Sequence, residues 1–183
     1  RKIILSFLLI KKLQIWMRRL IQMMRWHLCQ CLPVDNLRIQ FKILEETFNP
    51  YKEFELWEKV NKNSANSLFI GRVRPFDQFG NDLKKLEIVH YKGMTENYIK
   101  RYLMKISEKQ DDLCIFLLHR IGFIYPNEPI ILIAVSANHR GIANKYLQEI
   151  LEFTKYKVPF WKKEWTFKGS SWVKKNTDLG FKL

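Results

Sequence analysis

Apolar and polar positions along the middle of this chain follow the short periods of β-strands. The two kinds of residue alternate over 83–91, which is typical of a strand with one buried face. Continuous apolar runs at 113–119 and 130–137 indicate strands that are buried on both faces. Stretches at 37–44 and 68–74 also fit strands, the second of them interrupted by a glycine. The pattern therefore predicts five strands.

Other stretches show the spacing of amphipathic helices. Residues 49–62 and 96–107 have apolar positions three or four apart, and Thr95 is a suitable N-cap for the second of these helices. Another helix is predicted after Gly141, ending at Lys155. The residues that follow it are expected to form an irregular basic tail. Strands in adjacent hairpins together with packed helices predict an α+β fold.

The net charge of +14 over 183 residues is unevenly distributed. Residues 1–34 contain seven Lys or Arg and no Asp or Glu, so they carry half of the excess. Their longest apolar stretch, at 3–10, is far shorter than the roughly 20 residues that span a bilayer, so no membrane span is predicted. A transit peptide or a membrane-surface helix would fit this basic segment. We expect instead that 1–34 lies outside the fold and that 35–183 forms one domain.

Cysteine and histidine positions give no support for a metal site. The three cysteines fit neither a disulfide framework nor a zinc pattern, and the four histidines show no paired ligand spacing. Nucleotide-binding and serine-hydrolase fingerprints are missing from the sequence as well. We therefore predict neither a metal nor a cofactor. Cys114 lies in an apolar run and is expected to be a buried thiol, which favours the cytoplasm, with organellar targeting by residues 1–34 left open.

Basic residues gather at the ends of the predicted elements, where functional sites usually lie. Lys155 ends a helix and Lys162 follows a turn that contains Pro159, so the two lysines can converge. Converging ammonium groups attract anions and lower each other's pKa, which gives one of them a chance to act as a base or nucleophile. Further candidate anion-binding residues are Arg72 and Arg74 on a predicted strand, and His139 and Arg140 between a strand and a helix. These residues predict a cationic pocket for a phosphate-bearing substrate.

Five blocks of sequence, in this order, resemble the large catalytic subunit of molybdopterin synthase, an enzyme of molybdenum-cofactor biosynthesis. They are FIGRVR at 69–74, HYKGMTE at 90–96, HRIG at 119–122, SANHR at 136–140 and KYKVPFWKKE at 155–164. The resemblance covers about residues 37–172. It implies an α/β-hammerhead-like domain with a mixed or antiparallel sheet and packed helices.

This resemblance also implies an activity and its partners. The family is a sulfurtransferase that converts cyclic pyranopterin monophosphate, called precursor Z, into molybdopterin by building a dithiolene. The sulfur donor is a small ubiquitin-like subunit whose Gly-Gly end carries a thiocarboxylate and enters a pocket of the large subunit. Two large subunits form a homodimer, with one small subunit at each end of a heterotetramer. Nucleic acid has no part in this assembly.

The matching positions carry the family's site residues over to this chain. Lys155 resembles the essential lysine near the incoming thiocarboxylate, and Lys162 resembles the second lysine, which acts on the substrate. The positions that resemble pterin- and phosphate-binding residues are Arg72, the backbone of Val73, Arg74, His139, Arg140, Lys163 and Glu164. Our hypothesis is that Lys155 positions or activates the acyl carbon and that Lys162 transfers a proton.

The main alternative is a non-enzymatic α+β module that binds RNA or another polyanion. Such a module requires exposed aromatic residues interleaved with Lys or Arg on a sheet face. The periodicity places most aromatic residues at core positions or in the turn around Pro159, so we expect no such face here.

Overall fold

The computed structural model describes residues 38–77 and 79–173. The helices within these ranges are α1 (Pro50–Glu58), α2 (Met94–Ser107) and α3 (Arg140–Tyr156). The strands are β1 (Ile39–Leu44), β2 (Ala65–Arg72), β3 (Leu83–Val89), β4 (Cys114–Arg120), β5 (Gly122–Ile124), β6 (Pro129–Ala137), β7 (Trp161–Thr166) and β8 (Gly169–Trp172). Three helices packed against the first of two separate sheets confirm the predicted α+β class.

The larger hydrophobic core is built on a sheet with the strand order β1-β4-β6-β2. β1 runs parallel to β4, and the other neighbouring strands are antiparallel. β4 buries both of its faces: Ile115 and Leu117 pack with the residues of α2 and α3, whereas Phe116 and Leu118 pack with Trp57 of α1. Because neither face of this strand meets water, it reads in the sequence as a continuous apolar run.

The second sheet is antiparallel and has the order β5-β3-β7-β8. Leu86 and Ile88 of β3 lie in a smaller core with Val73 and Ile124. Phe160, which directly precedes β7, packs against both this core and the larger one. The side chain of Phe160 therefore joins the two sheets.

The predicted irregular tail after α3 is wrong for the residues that the structure describes, because they form the hairpin of β7 and β8. β7 could not be recognised from apolar alternation because its inward-facing positions hold Lys162 and Glu164. These two residues lie opposite Ile88 and Leu86 of β3. A strand whose buried face carries charges does not show apolar alternation. The sequence also gave no sign of β5, which has three residues and is too short to show a period.

The predicted N-cap of α2 is also wrong. The helix starts at Met94, two residues before the predicted start, and its N-cap is Gly93 rather than Thr95. Gly93 has a φ of 82°, which glycine adopts without steric cost, and its N–H donates a hydrogen bond to the Glu96 carboxylate. The side chain of Thr95 is buried inside the first turn.

The prediction that most aromatic residues lie at core positions or in the turn around Pro159 overlooked an exposed aromatic group. Eleven aromatic residues in the described ranges are exposed: Tyr51, Phe76, Phe79, Tyr91, Tyr98, Phe123, Tyr125, Tyr156, Trp161, Phe167 and Trp172. Several lie on the outer face of the second sheet and stack with lysine side chains. Lys85 Nζ lies 3.7 Å from the ring centroid of Phe123 and 5.0 Å from that of Trp165. We call this row, continued by Lys163 and Trp172, the outer ladder.

The predicted extension at 1–34 and its boundary at residue 35 lie outside the described residues, so this division of the chain stays a prediction. No helix in the described ranges is both long enough and apolar enough to cross a membrane.

Replacing Leu132 with alanine tests how far the fold depends on the packing of β6. Leu132 is fully buried, so the cavity left behind should lower the free energy of unfolding by about 2 to 5 kcal/mol. Urea denaturation measures this change. Leu56→Ala on the exposed side of α1 is the matched control and should cost much less. Equal losses from the two variants would contradict the described core.

Candidate active site between the two sheets

Lys155 and Lys162 lie close together although they belong to different elements. Lys155 is in the last turn of α3, which ends at Tyr156. The chain passes through Pro159 into β7, and Lys162 is the second residue of that strand. Burial, and then the positive charge of Lys155, lower the pKa of Lys162. The pair therefore supplies an amine that loses its proton more readily than an ordinary lysine does.

Strand alternation places Glu164 on the same face of β7 as Lys162. The two residues lie opposite Leu86 and Ile88, whose side chains form the smaller core. Glu164 is 5% exposed, and a buried carboxylate requires a charged or hydrogen-bonded partner. Its Oε1 accepts a hydrogen bond from Arg74 Nη2 at 3.1 Å. Glu164, on the inner face of β7, therefore orients the Arg74 side chain through this ion pair.

The Arg74 side chain is 43% exposed, in contrast to its buried partner. A guanidinium group has five N–H donors, so the contact with Glu164 uses a small part of its capacity for binding an anion. Arg74 was predicted to lie on a strand, but it follows the end of β2 at Arg72, so strand alternation does not set the direction of its side chain. The ion pair with Glu164 does so instead.

Lys163 points to the opposite side of the sheet from Lys162. Its Nζ lies 4.6 Å from the ring centroid of Trp165 and 5.4 Å from that of Trp172, within the outer ladder. Within one chain, therefore, Lys163 does not share the pocket of Lys162.

The segment of Arg72 and Val73 is fixed by the loop between β5 and β6. Arg72 Nη1 donates to the carbonyl of Asn127 at 3.1 Å, and Val73 exchanges backbone hydrogen bonds with Asn127 and Glu128. The backbone N–H of Val73 is thus engaged by the Glu128 carbonyl, and its side chain is buried. The Glu128 carboxylate in turn accepts a hydrogen bond from Arg120 at 2.7 Å. This network holds Arg74 at the edge of the pocket.

His139 and Arg140 lie at the other end of the same helix that carries Lys155. His139 is the N-cap of α3 and Arg140 its first residue. Lys155 lies fifteen positions after Arg140 along the helix, a rise of about 22 Å. His139 borders an open depression between Asn138 and residues 108–112. The structure therefore brings Lys155, Lys162, Arg74 and Glu164 together but places His139 and Arg140 elsewhere on the chain.

His119, which sequence reasoning did not single out as a site residue, lies beside the lysine pair. Its ring stacks on Phe160 with the centroids 3.9 Å apart and the planes 8° from parallel. Burial, and then the positive charge of Lys162, lower the pKa of His119 to about 3. His90 also approaches Phe160, and its Nε2 is 3.0 Å from the Glu96 carboxylate. The sequence marked His119 by its position at the end of an apolar strand, which is typical of core histidines, and as the first residue of the HRIG block.

The arrangement offers cations and one readily deprotonated amine. Such groups bind anionic substrates, stabilise developing negative charge and move a proton. In the part of the chain that the structure describes, no three His, Cys, Asp or Glu side chains lie close enough together to hold a metal ion. These features are typical of one class of protein: an α+β enzyme whose lysine and arginine side chains are suited to an anionic substrate.

Comparison with known proteins identifies the family. The family model described as MoaE protein matches residues 43–157, and the chain belongs to this family. The molybdopterin synthase catalytic subunit of Haemophilus influenzae is 30% identical over 135 residues, which are 74% of this chain and 89% of that protein. The subunit of the same name from Ralstonia nicotianae is 36% identical over 109 residues, or 60% and 61% of the two chains. These matches confirm the resemblance carried by the five blocks.

Solved structures show the same fold. The molybdopterin synthase structure from Staphylococcus aureus is 31% identical, covers 73% of this chain and 96% of its own, and gives a TM-score of 0.64. A complex of subunits 1 and 2 of the molybdopterin-converting factor from Helicobacter pylori gives a TM-score of 0.63 over 74% of this chain and 90% of its own. At 17% identity, this second likeness is evidence for the fold alone.

Replacing Lys155 with glutamine should raise the pKa of Lys162 toward that of an ordinary lysine, because a neighbouring positive charge is removed. An NMR titration of isotope-labelled lysine side chains measures this pKa in the whole protein. Lys157→Gln removes a charge from an exposed residue just beyond the same helix end and should shift the pKa of Lys162 much less. If Lys155→Gln leaves the Lys162 titration unchanged, the two ammonium groups are not coupled.

Proposed function

We propose that this chain is the catalytic subunit of a molybdopterin synthase, in which it converts precursor Z into molybdopterin. The observation that carries the proposal is the meeting of Lys155 and Lys162 beside Arg74, in a chain of the MoaE family. A dithiolene contains two sulfur atoms, so two thiocarboxylate tails are consumed for each substrate molecule. We place the reaction in the cytoplasm, in keeping with the free, half-buried thiol of Cys114.

The charges of the two reactants explain the need for a cationic pocket. A phosphate monoester and a thiocarboxylate are both anions and repel each other in water. Arg74, held by Glu164, suits the phosphate, and Lys155 suits the thiocarboxylate end of the partner tail. Lys162, whose pKa is lowered, suits proton transfer better than an ordinary lysine does. Arg72, Val73 and Lys163 remain predictions as substrate-binding residues.

The proposed sulfur donor is a small ubiquitin-like subunit with a Gly-Gly thiocarboxylate end. Relatives of 30% and 36% identity are named catalytic subunits of molybdopterin synthase, which supports an assembly of this chain with a further subunit. An extended Gly-Gly tail has no side chains beyond Cα, so it can enter a narrow channel that excludes other peptide ends.

We further propose that His139 and Arg140 act in the site of a second copy of this chain. In one chain about 22 Å of helix separates Arg140 from Lys155, a distance that a monophosphate substrate does not span. A two-fold axis that brings the start of α3 in one copy near the end of α3 in the other would produce two equal sites. This arrangement agrees with the homodimer expected for the family.

The outer ladder provides the exposed aromatic and lysine residues that an RNA-binding module requires. Its lysines, however, already lie over its rings: Lys85 between Phe123 and Trp165, and Lys163 between Trp165 and Trp172. A ring face covered by an ammonium group within the protein is not open to a stacked base. The enzymatic proposal is therefore the better supported of the two.

Replacing Lys155 with alanine should reduce the conversion of precursor Z by at least about a hundredfold, since charge stabilisation at the acyl carbon is lost. The assay mixes the purified protein with precursor Z and thiocarboxylated small subunit and follows molybdopterin formation. Lys157→Ala, an exposed lysine two residues further along, is the matched control and should retain normal turnover. Near-normal turnover by Lys155→Ala would refute the assignment.

Mixed dimers test whether the site is shared between two copies. Lys155→Ala and His139→Ala chains, each expected to be inactive as a homodimer, are given different affinity tags, co-expressed and purified through both tags. If the site is composite, each mixed dimer contains one intact site and one doubly altered site, so it should regain about half of the wild-type activity. Mixed dimers with no more activity than the two homodimers would place both residues in the same copy.

A further inference from the structure

We infer that His119, stacked on Phe160, is a positioning residue for Lys162: the two rings close the inner side of the lysine pocket to water and fix where β7 begins. No role in the reaction has so far been attached to either ring. The inference rests on the proposed function, because it takes Lys162 as the group that transfers a proton.

The stack itself is well defined. His119 is the penultimate residue of β4, is 4% exposed, and lies almost parallel to the ring of Phe160. Its Nδ1 has no hydrogen-bond partner in the described part of the chain. A buried nitrogen without a partner is unfavourable, and an apolar residue at this position would avoid that cost. The favourable contact of His119 is therefore made by the face of its ring, which stacks on Phe160.

Phe160 transmits this support to Lys162. It packs against both hydrophobic cores, and its backbone N–H donates to the carbonyl of Val158 at 2.8 Å. β7 begins at the next residue, and Lys162 follows directly after that. A shift of Phe160 would therefore move the amine of Lys162 relative to Lys155.

The charges around the stack decide what His119 contributes. Lys162 approaches His119 from β7, and Lys155 of α3 lies beyond Lys162. His90, which is paired with Glu96, approaches His119 from the turn before α2. With a pKa of about 3, His119 stays neutral at any working pH. It therefore adds no charge to the pocket. Its effect on Lys162 comes from excluding water, which disfavours the charged ammonium form.

Replacing His119 with alanine opens this side of the pocket to water. The pKa of Lys162 should rise, so less of the free amine is present at neutral pH and kcat should fall by about tenfold or more there. The loss should be recovered as the pH increases, because Lys162 then loses its proton again. KM should change little, since Arg74 and Lys155 remain. The NMR titration of Lys162 without substrate and the pH profile of kcat provide the two measurements.

Two further variants separate positioning from general destabilisation. Phe116→Ala is the matched control: Phe116 is a buried residue of the same strand, stacked on Trp57, and it faces the opposite side of the sheet. It should lower the melting temperature without moving the Lys162 titration. His119→Phe keeps an aromatic ring against Phe160 and should raise the pKa of Lys162 less than alanine does. His119→Val, with a side chain suited to a buried strand, replaces the alanine variant if that one does not fold.

The inference is overturned if the folded His119→Ala or His119→Val protein titrates at Lys162 like the wild type, or if Phe116→Ala causes the same shift. Lys162→Ala in the conversion assay separates this failure from a failure of the proposed function. A normal rate with Lys162→Ala would remove Lys162 from the reaction, and with it the inferred role of His119 in catalysis. A lost rate, together with the expected titrations, supports both.

Discussion

The inner face of β7 carries two charged residues at positions where a strand on a core normally buries apolar side chains. Lys162 and Glu164 lie there beside Ile88 and Leu86, and each charge shapes a part of the site. Glu164 requires a cation and holds Arg74 at the pocket edge. Lys162 lies beside another cation, Lys155, and its pKa is lowered by this charge and by burial. One short strand thus carries an amine with a lowered pKa and holds an arginine that is suited to an anion.

A strand with charges on its inner face needs support from elsewhere. The outer ladder supplies part of it, because Lys85, Trp165, Lys163 and Trp172 link three neighbouring strands across the sheet. Each such cation–ring contact contributes on the order of 0.5–1 kcal/mol at an exposed site. Phe160, packed on both cores, fixes the start of the strand. Contacts on the solvent side of β7 and the packing of Phe160 just before it therefore support this strand, which leaves its inner face available for chemistry.

The same features explain which elements could be predicted from the sequence. β4 and β6 are apolar on both faces and were predicted within a residue or so of their bounds. β7 was missed because Lys162 and Glu164 occupy its core positions. Lys155 and Lys162 could be predicted to lie near each other because Pro159, between them in the sequence, prevents the helix from continuing. The contacts of Arg74 with Glu164, 90 residues away, and of His119 with Phe160 depend on how the two sheets pack, which a local pattern does not contain.

The separation of the basic residues into two groups has an electrostatic benefit in the proposed dimer. Lys155 and Lys162 already repel each other within one chain, and Arg140 beside them would add to that cost before any substrate is bound. With about 22 Å of helix between them, each copy avoids part of this repulsion while it folds. In the proposed dimer, assembly would bring the groups together in a pocket that also receives a phosphate and a thiocarboxylate. The excess positive charge of the shared site is balanced by the reactants, so binding of the two anions and completion of the site favour each other.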